Sequence, residues 1–351
     1  MFTNFGLTLM VNHACNLRCT YCYTGSKFQR RMDLGTAKKA IDRAIASITD
    51  DGTIELGFFG GEPLVESGLI LQLLDYVSLC AEKKSIRIVA NITTNGTIVH
   101  EEAWQVMTHP HIFVAISCDG LPEVHDSCRI TVDGKGTSSI VIATIQKLLA
   151  AQREFRVVMV VRPNNLSSVA KGIEYLFGLG VKQADLSLDL WTKWGRKDSL
   201  PLQAMIKECA QVWRKKLPTC GVNWFDEKTI KYAQIPTNKT ARCSFGNGEI
   251  AVSPAGNLYP CERLIGEDSE LNAMRMPGHV MDGKDNFLPQ EQQNESCHEE
   301  CRGCSIQSLC STSCQCSNYI RTGKTREPDL LLCMVNKLCM EETLKALKTL
   351  T

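Results

Sequence analysis

The chain lacks a dominant charge: 39 Lys and Arg stand against 38 Asp and Glu, a formal net charge of +1 over 351 residues. Without a large field of one sign it carries no electrostatic footprint for nucleic acid or for an anionic membrane. The opening stretch MFTNFGLTLMVNHACN has neither a basic n-region nor a long apolar core, which argues against a secretory signal. Long hydrophobic runs are scarce too, and none is expected to reach the roughly 18 residues of a spanning helix. Internal repeats and low-complexity tracts are missing. With 44% hydrophobic and 22% charged residues, the composition suits a soluble globular protein with one large domain and an attached module. The expectation is a cytoplasmic chain with no nucleic-acid and no membrane partner.

Cysteine, by contrast, is abundant, with eighteen in all. Cytosolic thiols are kept reduced, so clustered cysteines point to metal rather than to a disulfide framework. One cluster is Cys15, Cys19 and Cys22. The other runs through Cys297, Cys301, Cys304, Cys310, Cys314 and Cys316, flanked by Cys243, Cys261, Cys333 and Cys339. Cys80, Cys118, Cys128, Cys209 and Cys220 are scattered singly. Cys80, in LILQLLDYVSLC, reads as a small buried hydrophobe.

From residue 5 to about 216, strand-like and helix-like segments alternate. FGLTLMVN (5–12), TIELGFFG (53–60), IRIVANITT (86–94), IFVAISCDG (112–120), FRVVMVVRP (155–163) and ADLSLDLW (184–191) are short, apolar and rich in β-branched residues. Amphipathic stretches at 35–48, 66–83, 138–152 and 200–217 lie between or after them. This alternation predicts an α/β fold with a parallel sheet, either doubly wound or curled into a barrel. In both, ligands sit at the carboxyl ends of the strands. Beyond about residue 218 helical periodicity fades. GEIAVSPAGNLYPCERLI (248–265) reads as a hairpin turning at Pro254-Ala255-Gly256-Asn257. Residues 266–296 read as an irregular connection, and the tail from Pro328 as a closing helix.

Three cysteines in eight positions fit an incomplete zinc site, a redox pair or an iron–sulfur ligand set. Structural zinc wants four closed ligands, and His13 is too near Cys15 in sequence to complete them comfortably. A redox Cys-x-x-Cys has no need of Cys15. A [4Fe–4S] cluster on three thiolates keeps one iron open to bind something else.

The triad follows the first strand of a βα series, with Tyr21 just before its third cysteine. This resembles the radical S-adenosylmethionine (SAM) superfamily, marked by a Cys-x3-Cys-x-aromatic-Cys loop in that place. Further loops match in order: FFGGEP (58–63) after the second strand, TTNG (93–96) after the third and SCDG (117–120) after the fourth. The resemblance implies a partial (β/α)6 TIM-like barrel with a [4Fe–4S] cluster on Cys15, Cys19 and Cys22. It implies SAM held by Gly60, Gly61, Glu62 and Pro63 at its amino group, with Thr94, Asn95, Ser117 and Asp119 lining the site. Arg129, in EVHDSCRITVDGKGT, is the candidate for the methionine carboxylate, since a guanidinium matches a carboxylate fork. The implied chemistry is reductive cleavage of SAM to a 5′-deoxyadenosyl radical that takes hydrogen from substrate.

The second cluster reads Cys243-x12-Gly256-x4-Cys261, then Cys301-x2-Cys304-x5-Cys310-x3-Cys314, then Cys333. A zinc ribbon needs two Cys-x2-Cys pairs, and here there is one. The spacing resembles the iron–sulfur SPASM module of radical SAM enzymes that modify peptides and proteins. By that resemblance Cys301, Cys304, Cys310 and Cys333 ligate a distal auxiliary [4Fe–4S] cluster, and Cys243, Cys261 and Cys314 a nearer one. The position where some members place a fourth ligand to the nearer cluster holds Thr237, so Cys220, another thiol or an open iron takes that place. Cys297, Cys316 and Cys339 have no role in the pattern. The implied organisation is a partial barrel over 1–217, a bridge over 218–242, a SPASM domain over 243–340 and a helix end over 341–351.

Two reactions follow from this family. Sulfatase-maturing members form formylglycine, usually with Gln before Gly-Gly-Glu-Pro and an Asp base directly after the second SPASM cysteine; here Phe59 and Glu262 stand there. The other, which those two departures favour, is maturation of a ribosomally made peptide by a thioether, C–C or C–O crosslink, or a related oxidation. Glu262 is the candidate catalytic base. Trp191, Trp194 and Trp224 are candidates for a peptide groove, though such aromatics usually sit in a core. The expected partners are a peptide substrate and an electron donor such as flavodoxin or ferredoxin; because the triad begins at residue 15, the substrate is expected to be held either by a separate leader-binding protein or by the barrel and the 218–243 bridge.

Overall fold

The computed structural model describes residues 1–235, 245–288, 301–310 and 314–350. Cys243, Cys297 and Thr237 lie outside the described residues. The chain runs β1 (Phe2–Asn12), α1 (Leu34–Ser47), β2 (Ile48–Gly60), α2 (Ser67–Glu82), β3 (Arg87–Thr94), α3 (Glu101–Thr108) and β4 (Ile112–Ser117). It continues through α4 (Pro122–Asp126), α5 (Ser138–Ala150), β5 (Phe155–Val161), α6 (Val169–Leu179), β6 (Gln183–Leu188), α7 (Ser199–Lys216), β7 (Gly221–Val222) and α8 (Asn223–Tyr232). Then come β8 (Glu249–Val252), β9 (Leu258–Tyr259), α9 (Gln315–Thr322) and α10 (Leu330–Leu350). All six expected strands form, as do the hairpin and the closing helix. The bridge over 218–242 also carries regular structure, β7 and α8.

Two compact units divide the chain: Met1–Ile116 with Ile130–Gly134 and Ser244–Gln293, and Ser117–Arg129 with Lys135–Cys243 and Asn294–Thr351. The segment after residue 243 is therefore shared between them.

In the first unit β1 pairs in parallel with β2, β2 with β3, and β3 with β4. This unreversed order is barrel-like; a doubly wound sheet would fold back at β1. The other edge of β1 is taken by β8, also parallel, and β9 turns back antiparallel on β8. Helix α1 begins at Asp33, whose carboxylate caps the backbone N–H of Thr36 at 2.9 Å. Ala37, Ala40, Ile41 and Ala44, three or four apart, form its buried face. Helix α2 buries Ile70, Leu73, Leu74 and Val77 completely, each contributing on the order of 1.5–3 kcal/mol. By length and composition Pro63–Glu82 is apolar enough to cross a membrane, which corrects the expectation that no stretch reaches that length. Its buried residues pack on α1, α3 and β3, as those of a core helix do.

Arg43 of α1 is 2% exposed and donates to the carbonyls of His279 (2.9 Å), Val280 (3.0 Å) and Asn286 (3.1 Å) and to Asp282 Oδ1 (3.1 Å). Its guanidinium stacks 4.2 Å from the Phe287 ring centre, and that ring stacks on Phe5. One helical side chain thereby fixes a loop that has almost no regular structure.

In the second unit β5 pairs in parallel with β6, and β6 with β7. Helix α10 packs on α7 and α8. Trp213 stacks on Phe225 at 5.1 Å and donates from Nε1 to Asp226 Oδ1 at 2.8 Å. Burial pushes the Asp226 carboxyl up to about 6. The folded chain therefore holds a proton there that the unfolded chain, titrating near 3.8, has already lost. Stability from this group is present at low pH and falls as pH rises from about 4 through 6. Asp226→Asn is expected to gain about 1–2 kcal/mol over the parent at pH 7 and nothing near pH 4, measured by anaerobic urea unfolding at both.

Candidate active site

In the first unit the Cys15–Cys22 loop leaves the end of β1 and is tied to the loops after β2 and β3. Gly61 N donates to Asn12 O (3.1 Å), Glu62 N to Ala14 O (2.8 Å) and Asn12 Nδ2 to Glu62 O (3.0 Å). Only glycine fits at position 61: a Cβ there would lie 2.3 Å from the Ala14 carbonyl oxygen. The Gly-Gly pair is thus the condition for bringing the loop onto the backbone that leads into Cys15.

Glu62, 1% exposed, joins two loops through its carboxylate. Its Oε1 accepts from Leu64 N (3.0 Å) and Thr94 Oγ1 (2.7 Å), and its Oε2 from Asn95 N (2.7 Å). Asn95 carries the connection onward, donating from Nδ2 to Asn16 Oδ1 (2.9 Å) and toward Cys15 Sγ (3.9 Å). Glu62, Thr94 and Asn95 thus form one hydrogen-bonded chain that ends at the Cys15 thiol, and Gly61 binds the backbone that leads into it. Arg18 N donates to Ile130 O at 2.7 Å, so the residue after Arg129 holds the middle of the cysteine loop.

Two of the three thiols, Cys15 and Cys22, differ in their surroundings. Burial pushes Cys15 up to about 11, against a backbone hydrogen bond from Leu17 N at 3.4 Å. For Cys22 burial acts in the same direction but is outweighed. Thr24 at 3.3 Å and the Lys27 ammonium at 3.1 Å hold that thiol below its ordinary value. Among the described residues no three His, Cys, Asp or Glu side chains converge where a single metal ion would sit. A four-iron cluster asks for something else, since each thiolate meets a different iron. The donor set suits that demand, with three thiols within eight residues on a loop bound to glycine-rich neighbours. Asn12 Oδ1 and both ring nitrogens of His13, immediately before it, are buried with no hydrogen-bond partner among the described residues. His13 stacks on Phe28 at 4.3 Å, and burial lowers its imidazole to about 4.

The hairpin brings further groups into this unit. Cys261 is buried, and Glu262 Oε2 stands 3.5 Å from its sulfur. Burial pushes the Tyr23 phenol up; Arg263 opposes this, and Glu262, Cys261 and Cys22 add to it. Glu262 is thus within electrostatic reach of the residue next to Cys22. Phe59 stacks on the same tyrosine at 6.4 Å. Farther along, Glu267 Oε1 accepts from Ser26 N at 2.8 Å and fixes the loop beyond the triad.

In the second unit Ser117 closes β4, half-buried, and Asp119 is 3% exposed. Asp119 Oδ2 accepts from Arg129 Nε (3.2 Å) and Cys128 Sγ (3.2 Å), and Oδ1 from Val160 N (2.9 Å). Asp119 N donates to His125 Nδ1 at 3.3 Å, which places the ring proton on Nε2, facing Thr137 Oγ1 at 3.0 Å. Thr137 donates in turn to the Arg129 carbonyl at 2.8 Å. Burial holds His125 down to about 4, so this chain of hydrogen bonds is neutral except at the Asp119–Arg129 pair. Sequence reasoning missed His125 and Thr137, whose nearest signal was the run of polar residues around Arg129. Gly120, at φ +83°, lets its backbone approach Gly172, where a Cβ would meet the Gly172 Cα at 2.6 Å.

Among the other sequence candidates, Cys301, Cys304, Cys310 and Cys333 are half-buried in this unit. Cys314 Sγ lies 3.4 Å from Cys316 Sγ. Cys220 is buried at the start of β7, its sulfur 3.8 Å from the Val181 carbonyl oxygen, and Cys339 is 1% exposed. Trp191 is 42% exposed, while Trp194 and Trp224 are half-buried.

The model of the Radical SAM superfamily matches residues 9–176. The chain is 31% identical over 280 residues to the uncharacterized protein MJ0907 of Methanocaldococcus jannaschii, covering 77% of this chain and 91% of that one. It is 25% identical to the cysteine-type anaerobic sulfatase-maturating enzyme of Clostridium perfringens (88% and 89% covered). It is 29% identical to the antilisterial bacteriocin subtilosin biosynthesis protein AlbA of Bacillus subtilis (72% and 54%). The fold matches a solved structure of native anSMEcpe with bound AdoMet and Kp18Cys peptide at a TM-score of 0.80, with 21% identity and 99% of each chain covered. The family model alone stops within α6, but these alignments continue into the cysteine-rich second half, and the chain belongs to the radical SAM superfamily, in its SPASM-type branch.

Proposed function

We propose that this radical SAM enzyme modifies a ribosomally made peptide by forming a crosslink from an unactivated C–H position. Bound at its reduced cluster, SAM supplies a 5′-deoxyadenosyl radical able to take such a hydrogen. Cys15, Cys19 and Cys22 are the residues proposed to hold the cluster. Gly60–Pro63, Thr94, Asn95, Ser117, Asp119 and Arg129 are those proposed to hold SAM. Cys243, Cys261, Cys301, Cys304, Cys310, Cys314 and Cys333 are proposed for two auxiliary [4Fe–4S] clusters, which makes three clusters in the chain. The peptide class rests on the relatives: AlbA takes part in bacteriocin biosynthesis, and the matching structure holds a peptide.

The observation that carries the choice of reaction is Phe59 stacked on Tyr23 beside the triad. A phenyl ring offers no amide to a substrate there, and the sulfatase-maturing pattern has Gln at this place. Formylglycine formation remains the second reading, favoured by Glu262 standing next to Cys261 and within electrostatic reach of Tyr23, the residue after Cys22. In either reaction Glu262 is the residue proposed to receive the proton lost as the substrate is oxidised.

The two readings separate by mass. Incubated anaerobically with SAM and reductant, a Cys-bearing precursor peptide encoded near this gene is expected to lose two hydrogens per crosslink. A sulfatase-type peptide is expected to stay unchanged. Exchange of its cysteine sulfur for a carbonyl oxygen would overturn the first reading in favour of the second. Glu262→Gln is expected to lower product by about 10²-fold with a much smaller effect on 5′-deoxyadenosine release. Equal loss of both would remove Glu262 from the base role.

A further inference from the structure

Helix α8 lies in the bridge to which no motif had been assigned, yet it buries a lysine. Lys228 is 3% exposed. An ammonium in the interior is expensive unless its hydrogen bonds are made and its charge is used. Here Nζ donates to the Leu309 carbonyl at 3.3 Å and to Asn336 Oδ1, and Asn336 is fixed in turn by donating to the Leu332 carbonyl at 2.9 Å. Leu309 immediately precedes Cys310, and Asn336 lies one helical turn past Cys333. A single side chain thus joins the loop that carries Cys301, Cys304 and Cys310 to the helix that carries Cys333.

That loop is a run of tight turns, with Cys304 N donating to Cys301 O (3.2 Å), Gln307 N to Cys304 O (3.0 Å) and Cys310 N to Gln307 O (3.4 Å). Its thiols and Cys333 are half-buried and not disulfide-bonded. Four thiols on two segments fastened at one point fit the donor set of a [4Fe–4S] cluster. Burial lowers the pKa of Lys228 and Lys231 adds to this, while Cys310, Cys339 and Glu227 act in the opposite direction. The ammonium itself stands 3.3 Å from the carbonyl of Leu309, the residue that leads into the proposed ligand Cys310.

We propose that Lys228 is the positioning residue of the auxiliary cluster on Cys301, Cys304, Cys310 and Cys333, holding its two supporting segments together and favouring its reduced state. The inference rests on the auxiliary-cluster reading above. A cluster with four thiolates is anionic and becomes more so on reduction, so a fixed cation beside it raises its potential. A lysine serving only to pack α8 would leave that potential unchanged.

The test is an EPR-monitored redox titration of the anaerobically reconstituted full chain, with iron and sulfide counted. The parent is expected to hold about twelve irons; about four would overturn the cluster reading and this inference with it. With about twelve in place, Lys228→Gln is expected to shift the auxiliary signal to more negative potential without moving the SAM-binding cluster. Lys228→Arg is expected to restore it. An unshifted auxiliary potential in the Gln variant, or a shift that Arg does not reverse, overturns the inference alone. Should the Gln variant fail to fold, Asn336→Asp sets a carboxylate on the ammonium and is expected to shift the signal the same way. No shift there also overturns the inference.

Discussion

The chain with Cys15, Cys19 and Cys22 all replaced by alanine is expected to release no 5′-deoxyadenosine above background, a loss of at least about 10³-fold. Its iron content is expected to fall by about four atoms per chain, from about twelve to about eight. The effect is large because these three thiols are the donors that the loop after β1 supplies. Asn95 and Leu17 N direct hydrogen bonds at Cys15, Lys27 and Thr24 at Cys22, and no other cysteine lies on this loop. The fold is expected to survive, since Cys15 and Cys19 are half-buried and Cys22 is exposed, outside the hydrophobic core. SAM cleavage by the triple variant at more than a hundredth of the parent rate would refute the assignment of the triad.

Arg43→Met carries the largest expected stability effect, about 3–5 kcal/mol, read as a lower urea midpoint for the first unit. The replacement removes the guanidinium donor from three carbonyls and one of the donors to Asp282, and loses the stack on Phe287. Arg43→Lys is expected to recover only part, because one ammonium cannot span acceptors distributed over residues 279–286. A midpoint unchanged by Arg43→Met would show that this loop is held by other contacts. Because the chain has two compact units, the transition should be followed by a probe in each.

How far the sequence reached depends on the residue. The strands were legible because β-branched runs bounded by Gly, Asn and Asp have few other uses. The hairpin was legible because Pro254-Ala255-Gly256-Asn257 is turn chemistry, and β8 and β9 flank it. Helix α3 escaped notice: it is eight residues long, with three buried residues and a His100 cap. Helix α8 was hidden inside the 218–242 bridge, where helical periodicity reads as fading. For Glu62 the sequence offered a role toward SAM, and the fold adds another, since its carboxylate fastens the loop after β2 to the loop after β3. Nothing in the sequence singled out Arg43 or Lys228, because the acceptors that bury them are 236 to 243 residues away in one case and 81 to 108 in the other.

The sequence by itself determined the strands, the order of the loops after them and the clustering of the cysteines, because each is written in residues a few positions apart. Tertiary structure alone decided that β8 takes the free edge of β1, that Glu262 comes within electrostatic reach of Tyr23 and that His125 and Thr137 stand behind Arg129. It also decided that Lys228 joins the two cysteine-bearing segments of the second unit. The division has a physical cause: local propensity is set by neighbours along the chain, whereas a buried charge or hydrogen bond is set by whichever distant group packing brings to it.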